Sequence, residues 1–426
     1  MKITYSQYKF FSSFIGEILI LISQFLNFFY KNKYSSFIFK RSHKNIVSSK
    51  SSKKKIWFYA SSVGEVGVCE IVIKEMLNLK KNLSFHISIM TDSGYEIASS
   101  NFASIADISY SPLDSYFNVK KTFEIIKPDL LCIIETELWP NLIYQANKNK
   151  IPIIVTNARI SNSSLKNYSK TKDFSKYIIN LVDKFYASSF QDEKNLIKLS
   201  CKKEKIIVTG NAKYDFKIDK SQYEKTKTTY KNFFGFKKTD LIFVCGSTRE
   251  GEEEILIPVF KKLKNEFKNL KLVLVPRHLT RLDEVKNVFL KNNLSFGLRT
   301  ENTDKPYESI IIDTMGELKK IYSIADLVFV GGSLLNFGGQ NILEPAALEK
   351  PVIFGKHMDD FKEISKILLN EKGGFEVSES NINEVIKKLL ENNELRKISG
   401  QNAFQVVKKN RGAGLKQAKG ILGYLS

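Results

Sequence analysis

Cysteine is scarce and scattered: Cys69, Cys132, Cys201 and Cys245 form no C-x-x-C pair and no Cys/His cluster. That spacing excludes a disulfide framework and offers no zinc site, so the thiols read as reduced and cytosolic. Arginine-rich runs and aromatic RNA-binding signatures are also missing, which leaves nucleic acid without support as a partner. No small-residue cleavage site of the A-x-A kind accompanies the apolar N-terminus, which reads as a retained segment and not a removed signal peptide. Nor is apolar content low: 43% hydrophobic and 26% charged residues belong to an ordered globular chain.

With 426 residues, two domains are the natural expectation. The formal net charge of +21, from 66 Lys and Arg against 45 Asp and Glu, invites anionic partners such as phosphorylated substrate or anionic lipid. The plain alternative is a lysine-rich compositional bias spread over solvated faces. From Phe10 to Tyr34 runs an apolar stretch of about membrane-spanning length, interrupted by Glu17 and Gln24 and followed by Lys31, Lys33, Lys40 and Lys44. It reads as a membrane anchor over residues 1–34, spanning or interfacial, with the downstream chain on the cytoplasmic side. A helix packed on the protein body is the simpler alternative.

Apolar strand text then alternates with helical text: IWFYAS, a helix over 65–79, FHISIMT, a helix near 94–100, LLCIIET at 130–136, IPIIVTN at 151–157, KFYASS at 184–189 and KIIVTGN at 205–211. Continuous apolar runs of this kind predict a parallel sheet covered on both faces, hence one doubly wound α/β domain over 35–220. Lys, Thr and Asp with few aliphatics suggest a linker over 221–240. LIFVCGS, KLVLVPR, SIIID, DLVFVGG and KPVIFG open a second α/β half over 241–426, whose last helix is free to cross back to the first. Two such halves imply a cleft, with the chemistry on loops after the strands.

Those loops hold the candidates. In ASSVGEVG, Glu65 opens a helix: a dipole complement or a general base. In IIETELWPN, Glu135 and Glu137 stand two apart at a strand end, so both can point to one side, as solvated or functional carboxylates. Arg159 and Ser161 in NARIS and Lys213 in GNAKYD suit phosphate or carboxylate. In the second half, GSTREGEEE supplies backbone N–H groups that could meet an oxyanion, and VPRH places Pro276 and Arg277 at a strand end. Gly316, Glu317 and Leu318 open a helix, where Thr314 and Glu317 have capping-box spacing. Gly338 and Gly339 allow close backbone approach, and Asn341, Ile342, Leu343 and Glu344 follow, the last able to accept both hydroxyls of a ribose.

Together SVGEV, ETELWPN, NARIS, GNAKYD, GSTREGEE, VPRH, DTMGEL, FVGGSL and NILEPAA resemble the Kdo (3-deoxy-D-manno-octulosonic acid) transferases of lipopolysaccharide synthesis, in order over nearly the whole chain. The resemblance implies a GT-B glycosyltransferase of two Rossmann-like domains with an N-terminal membrane-associated helix, a CMP-Kdo donor, no cofactor and no metal. It also implies a lipid A precursor (lipid IVA) as acceptor, inversion at the sugar, and a place on the cytoplasmic face of a bacterial inner membrane. By the same resemblance Glu65 is the proton acceptor, and Lys213 with Glu135 or Glu137 stabilises the transition state. Pro276, Arg277, Gly316 to Leu318 and Asn341 to Glu344 would hold CMP. Gln340 and Ile342 depart from the family's usual histidine and proline, which puts the rigidity of that loop in question. The rivals are a GT-B enzyme using a UDP-sugar, such as a hexose transferase or an epimerase, and a non-enzymatic basic protein of membrane surfaces or nucleic acid.

Overall fold

Strands buried on both faces need apolar residues at every position, not at alternate ones. The run Lys54–Ala60 shows this: Ile56, Phe58 and Ala60 enter one core cluster with Cys69, Val72 and Ile73, while Trp57 and Tyr59 enter another with Phe123 and Ile126. The structure, a computed structural model, describes residues 4–29, 33–215, 220–301 and 307–425. It divides into two compact units, Met1–Asp215 with Asn410–Ser426, and Phe216–Lys409.

The first unit carries β1 (Lys54–Ala60), β2 (Leu83–Ile89), β3 (Ala106–Tyr110), β4 (Leu130–Ile134), β5 (Ile153–Ala158), β6 (Lys184–Ala187) and β7 (Ile206–Val208). They form one parallel sheet ordered β3-β2-β1-β4-β5-β6-β7. The second carries β8 (Leu241–Thr248), β9 (Leu270–Pro276), β10 (Gly297–Leu298), β11 (Ser309–Ile311), β12 (Leu327–Val330), β13 (Val352–Gly355) and β14 (Gly374–Val377). These are again all parallel, ordered β10-β11-β9-β8-β12-β13-β14. Each sheet contains the doubly wound 3-2-1-4-5-6 order, whose direction reverses beside the first strand: between β1 and β4 in one unit, between β8 and β12 in the other.

Sequence reading misses β3, β10 and β14. All three are sheet edges, and the longer two are only partly covered, so neither has a continuous apolar run. The stretch expected as a linker holds a helix, Lys220–Phe233, in the second unit. Its anchors are aromatic hydroxyls instead of aliphatics: Tyr223 donates to Ser323 O at 3.1 Å and Tyr230 to Glu317 at 2.6 Å. The last helix, Ala413–Leu422, belongs to the first unit. Buried Gln417 accepts from Thr156 at 2.8 Å and donates to Thr209 at 3.0 Å, and Asp215 takes the N–H groups of Gly412 and Gly414, each at 2.6 Å.

The N-terminal helix, Tyr5–Phe29, is docked on the first unit along one face. The Tyr5 ring stacks on Tyr144 with centroids 4.1 Å apart, Tyr8 donates to Asp114 at 2.8 Å, and Ser12 accepts from Asn141 at 2.9 Å. Glu17 accepts from Ser115 at 2.5 Å and Gln24 from Lys44 at 3.2 Å, so the two polar interruptions of the apolar stretch both belong to the docked face. Phe10, Phe11, Phe14, Ile18, Leu21 and Phe25 remain exposed on this helix. It is long and apolar enough to cross a membrane by length and composition.

Candidate active site

In doubly wound sheets, ligands bind at the carboxyl ends of the strands where the order reverses. In the first unit that point lies between β1 and β4, and the loops after these two strands carry Glu65 and Glu135. Glu65 lies in the first turn of the helix Val63–Leu79, directly after β1. Its carboxylate is buried and accepts from the Ser61 N–H at 2.7 Å, the Ser61 hydroxyl at 3.1 Å and the Ser62 hydroxyl at 3.1 Å. Burial first, and then the negative charge of Glu135, pushes the carboxyl up to about 7, against the Ser61 hydrogen bonds that favour the ion. A carboxyl at that level is half ionised at neutral pH, which suits a general base.

Glu135 follows β4 in the left-handed region, with φ 56°, and its N–H still bonds Thr156 O at 3.0 Å. Such a conformation in a non-glycine residue costs on the order of 1 kcal/mol or more and recurs at functional sites. It also ends the two-residue alternation of the strand. Glu135 therefore pairs with Lys213, Nζ to Oε1 at 2.6 Å but at an angle outside hydrogen-bond geometry. Glu137 instead accepts the indole N–H of Trp139 at 2.7 Å, tying its own corner together. Its charge raises Glu65 less than that of Glu135 does.

Lys213 is placed by two asparagines: Asn211 Oδ1 accepts its N–H at 3.0 Å, and buried Asn157 takes the Ala212 N–H at 2.8 Å. The NARIS segment thus positions GNAKYD through Asn157. A Cβ on Gly64 would lie 3.5 Å from Lys213 Nζ, an ordinary contact distance, so the residue beside Glu65 stands directly against the ammonium. Arg159 contributes its carbonyl to the Thr136 hydroxyl at 2.8 Å. Ser161 caps the helix Asn162–Lys170 by accepting from Ser164 N. The structure therefore brings Glu65, Glu135 and Lys213 together, while the interactions seen for Ser161 and Glu137 are local to their own turns.

In the second unit the corresponding point lies between β8 and β12. Here a carboxylate that sequence reading assigned no role organises the loops. Glu252, fully buried, accepts four backbone N–H groups: Arg249 at 2.9 Å, Gly332 at 2.7 Å, Ser333 at 2.9 Å and Leu334 at 3.0 Å. Burial pushes its carboxyl up against the opposing pull of those four donors. The GSTREGEEE segment, whose N–H groups could meet an external oxyanion, also supplies a carboxylate that captures N–H groups of the loop after β12.

Pro276 ends β9, and the N–H of exposed Arg277 bonds Thr248 O at 3.0 Å. Gly316 has φ 81° with nothing within 4 Å of where a Cβ would stand. The Glu317 carboxylate is held by Thr314 at 2.6 Å, Tyr230 at 2.6 Å and Arg299 at 3.1 Å. Burial raises it, but these three donors outweigh burial and keep it ionised below its ordinary range. Leu318 begins the helix Leu318–Ile324. Asn341 Oδ1 accepts from Leu343 N at 3.0 Å, and its amide reaches Glu344 at 3.4 Å. Ile342 and Leu343 are fully buried core, so any ligand contact from them is through backbone. The Glu344 carboxyl is raised by burial, opposed by Lys319 at 3.7 Å and by the charge of Arg277. Gly339 has φ 80°, and a Cβ there would stand 2.5 Å from Met358 Sδ. Among the described residues no group of three or more His, Cys, Asp or Glu could hold a metal ion.

Solved structures share this fold. A UDP-GlcNAc 2-epimerase from Neisseria meningitidis aligns over 87% of this chain and 99% of its own with TM-score 0.59 at 17% identity. A glycosyltransferase from Rickettsia africae aligns over 88% and 98% with TM-score 0.58 at 16% identity. The class is therefore GT-B. The model of the 3-deoxy-D-manno-octulosonic-acid transferase (kdotransferase) family matches residues 37–216. The 3-deoxy-D-manno-octulosonic acid transferase of Haemophilus influenzae is 34% identical over 84% of this chain and 84% of its own length. That of Chlamydophila psittaci is 31% identical over 80% and 78%. A bifunctional glycosyltransferase/methyltransferase of Fusobacterium nucleatum is 39% identical over 90% of this chain, which spans 59% of that protein's length. The chain belongs to the 3-deoxy-D-manno-octulosonic acid transferase family of glycosyltransferases.

Proposed function

We propose that the chain transfers Kdo from CMP-Kdo to a hydroxyl of the lipid A precursor lipid IVA, releasing CMP with inversion at the sugar and without a metal. The observation that carries this reading is Glu65, a carboxyl poised near pH 7 beside the Glu135–Lys213 pair. In the proposed step the acceptor oxygen bonds to the anomeric carbon as the bond from that carbon to the CMP phosphate oxygen breaks. The acceptor proton passes to Glu65, and the electron pair leaves with CMP. Lys213 offsets negative charge near the reacting oxygen, and Arg277 with the backbone at Gly316 steadies the departing phosphate. Glu344 holds the ribose.

The net charge of +21 suits a phosphorylated acceptor in an anionic bilayer. The same reading places the chain on the cytoplasmic face of a bacterial inner membrane. Its N-terminal helix would lie in the interface, because a docked face running from Tyr5 to Gln24 favours lying over crossing. Replacing exposed Phe14 and Ile18 with lysine should then release the protein from anionic vesicles into the supernatant. Undiminished co-sedimentation would remove the interfacial assignment.

The decisive experiment supplies purified protein with CMP-Kdo and lipid IVA and weighs the product. A mass gain of one or more Kdo units with stoichiometric CMP release is expected. Consumption of UDP-sugars under conditions where no Kdo is transferred would sink the proposal.

A further inference from the structure

The described arginines of the second unit fall into distinct groups. Arg281 pairs with Glu253 at 3.2 Å and with Glu284 at 2.9 Å, Arg299 pairs with Glu317, and Arg396 donates to the carbonyls of Leu389 and Leu390. Arg249 and Arg277 have no carboxylate partner among the described residues. Both stand on loops at the carboxyl ends of adjacent strands, Arg249 after β8 and Arg277 after β9. The β8 loop flanks the point where the sheet order reverses.

The Arg249 guanidinium is not adrift. It donates to His278 Nε2, and its centre lies 4.8 Å from the Phe337 ring centroid, a cation–π contact. Burial first, then the charges of Arg249, Arg277 and Arg281, pushes His278 below its ordinary range. The imidazole is therefore neutral at neutral pH and keeps a lone pair for Arg249. A Cβ on Gly332, after β12, would meet Gln340 Cγ at 3.4 Å and Arg249 Cγ at 3.5 Å. Those are ordinary contacts, and what favours glycine where the β8 and β12 loops meet is its left-handed backbone, φ 68°.

A lone exposed arginine is usually solvated. One clamped between an imidazole and a phenyl ring, with no carboxylate partner among the described residues, is preorganised for a planar anion. The donor of the proposed reaction has two anionic groups on one carbon, because the anomeric carbon carries both the phosphate and the carboxylate. We propose that Arg249 recognises the carboxylate of the donor sugar, while Arg277 serves the nucleotide phosphate. Arg249 then determines specificity for an acidic sugar, and His278 and Phe337 are its positioning residues. This assignment rests on the CMP-Kdo reading above.

The test compares the KM for CMP-Kdo with the Ki of CMP as product inhibitor, since CMP has the phosphate and lacks the sugar. Arg249→Gln should raise the KM for CMP-Kdo at least about 30-fold, the loss expected when one partner of a charge pair is removed. The Ki of CMP should stay within about twofold, because the phosphate contact is untouched. Arg249→Lys should recover part of the loss, and Arg277→Gln should weaken both ligands. His278→Ala should raise the KM for CMP-Kdo without moving the Ki of CMP, and His278→Gln, which keeps an acceptor, should recover part of that. Free Kdo should compete with the donor in the native chain and not in Arg249→Gln. If Arg249→Gln weakens CMP and CMP-Kdo by the same factor, or neither, the assignment is wrong while the donor reading stands. If the native chain fails to bind CMP at all, the donor reading falls and takes this assignment with it.

Discussion

At the scale of single residues, Glu65 combines burial, two serine hydroxyls and a neighbouring charge into one property, a carboxyl that titrates near 7. Transfer should decline as pH falls through about 7, because the base must be ionised to accept a proton. Glu135→Gln should move that acid limb to lower pH by removing the second cause of the shift, while burial, the first cause, keeps it above the usual carboxylate range. Glu65→Gln should lower kcat by about 10³ and leave CMP affinity unchanged. The same substitution has a signature in stability. A carboxyl raised from 4.5 to about 7 is protonated in the folded chain below that range and ionises at a desolvation cost above it. Its stabilising contribution is therefore lost between those values, and Glu65→Gln should melt higher than the native chain at pH 8 by up to about 3 kcal/mol, with no difference at pH 4. Equal melting curves at both pH values would contradict the shift. Glu65 and Lys213 were legible from their motifs. The choice between Glu135 and Glu137 was not, because strand alternation puts both on one side, and only the left-handed backbone at Glu135 breaks the alternation.

At the scale of elements, the loop after β12 is held by a carboxylate from another element. Glu252, at the start of the helix Glu252–Glu266, gathers three N–H groups of that loop. Glu252→Ala would leave these donors buried and unpaired, and should lower stability by about 3 kcal/mol while raising the Ki of CMP. Urea melts together with CMP inhibition report both effects, and a variant with unaltered nucleotide affinity would show that the loop shape does not matter for the donor. Sequence reading found the acidic first turn but not its target, since 80 residues separate Glu252 from Gly332. Apart from the edge strand β7, found through its Ile-Ile-Val run, the strands it found were the central, apolar ones. The edges β3 and β14 escaped because half-solvated strands do not advertise themselves by continuous hydrophobicity.

At the scale of the whole molecule, the two units differ in how the chain builds them. The second is contiguous, whereas the first needs the segment Asn410–Ser426. Ala413, Ala418 and Ile421 are fully buried in its core. Truncation before Asn410 should therefore unfold the first unit, while the second, expressed as 216–409, should still fold and bind CMP. Calorimetry of both pieces checks this, and a truncated chain that melts like the full one would refute it.

The sequence by itself determined two doubly wound halves, the order of their apolar strands, the positions of Glu65 and Lys213 at strand ends, and the family. These are local: apolar runs, turn residues and short motifs sit within a few positions of one another. Only the tertiary structure decided that Lys213 pairs with Glu135, that Glu17 and Gln24 mark the docked face of the first helix, that a tyrosine-anchored helix occupies the expected linker, and that Arg249 is clamped by His278 and Phe337. Each of these joins residues distant in sequence, and the burial that raises Glu65 or strips Glu252 of water exists only once distant segments have packed around them.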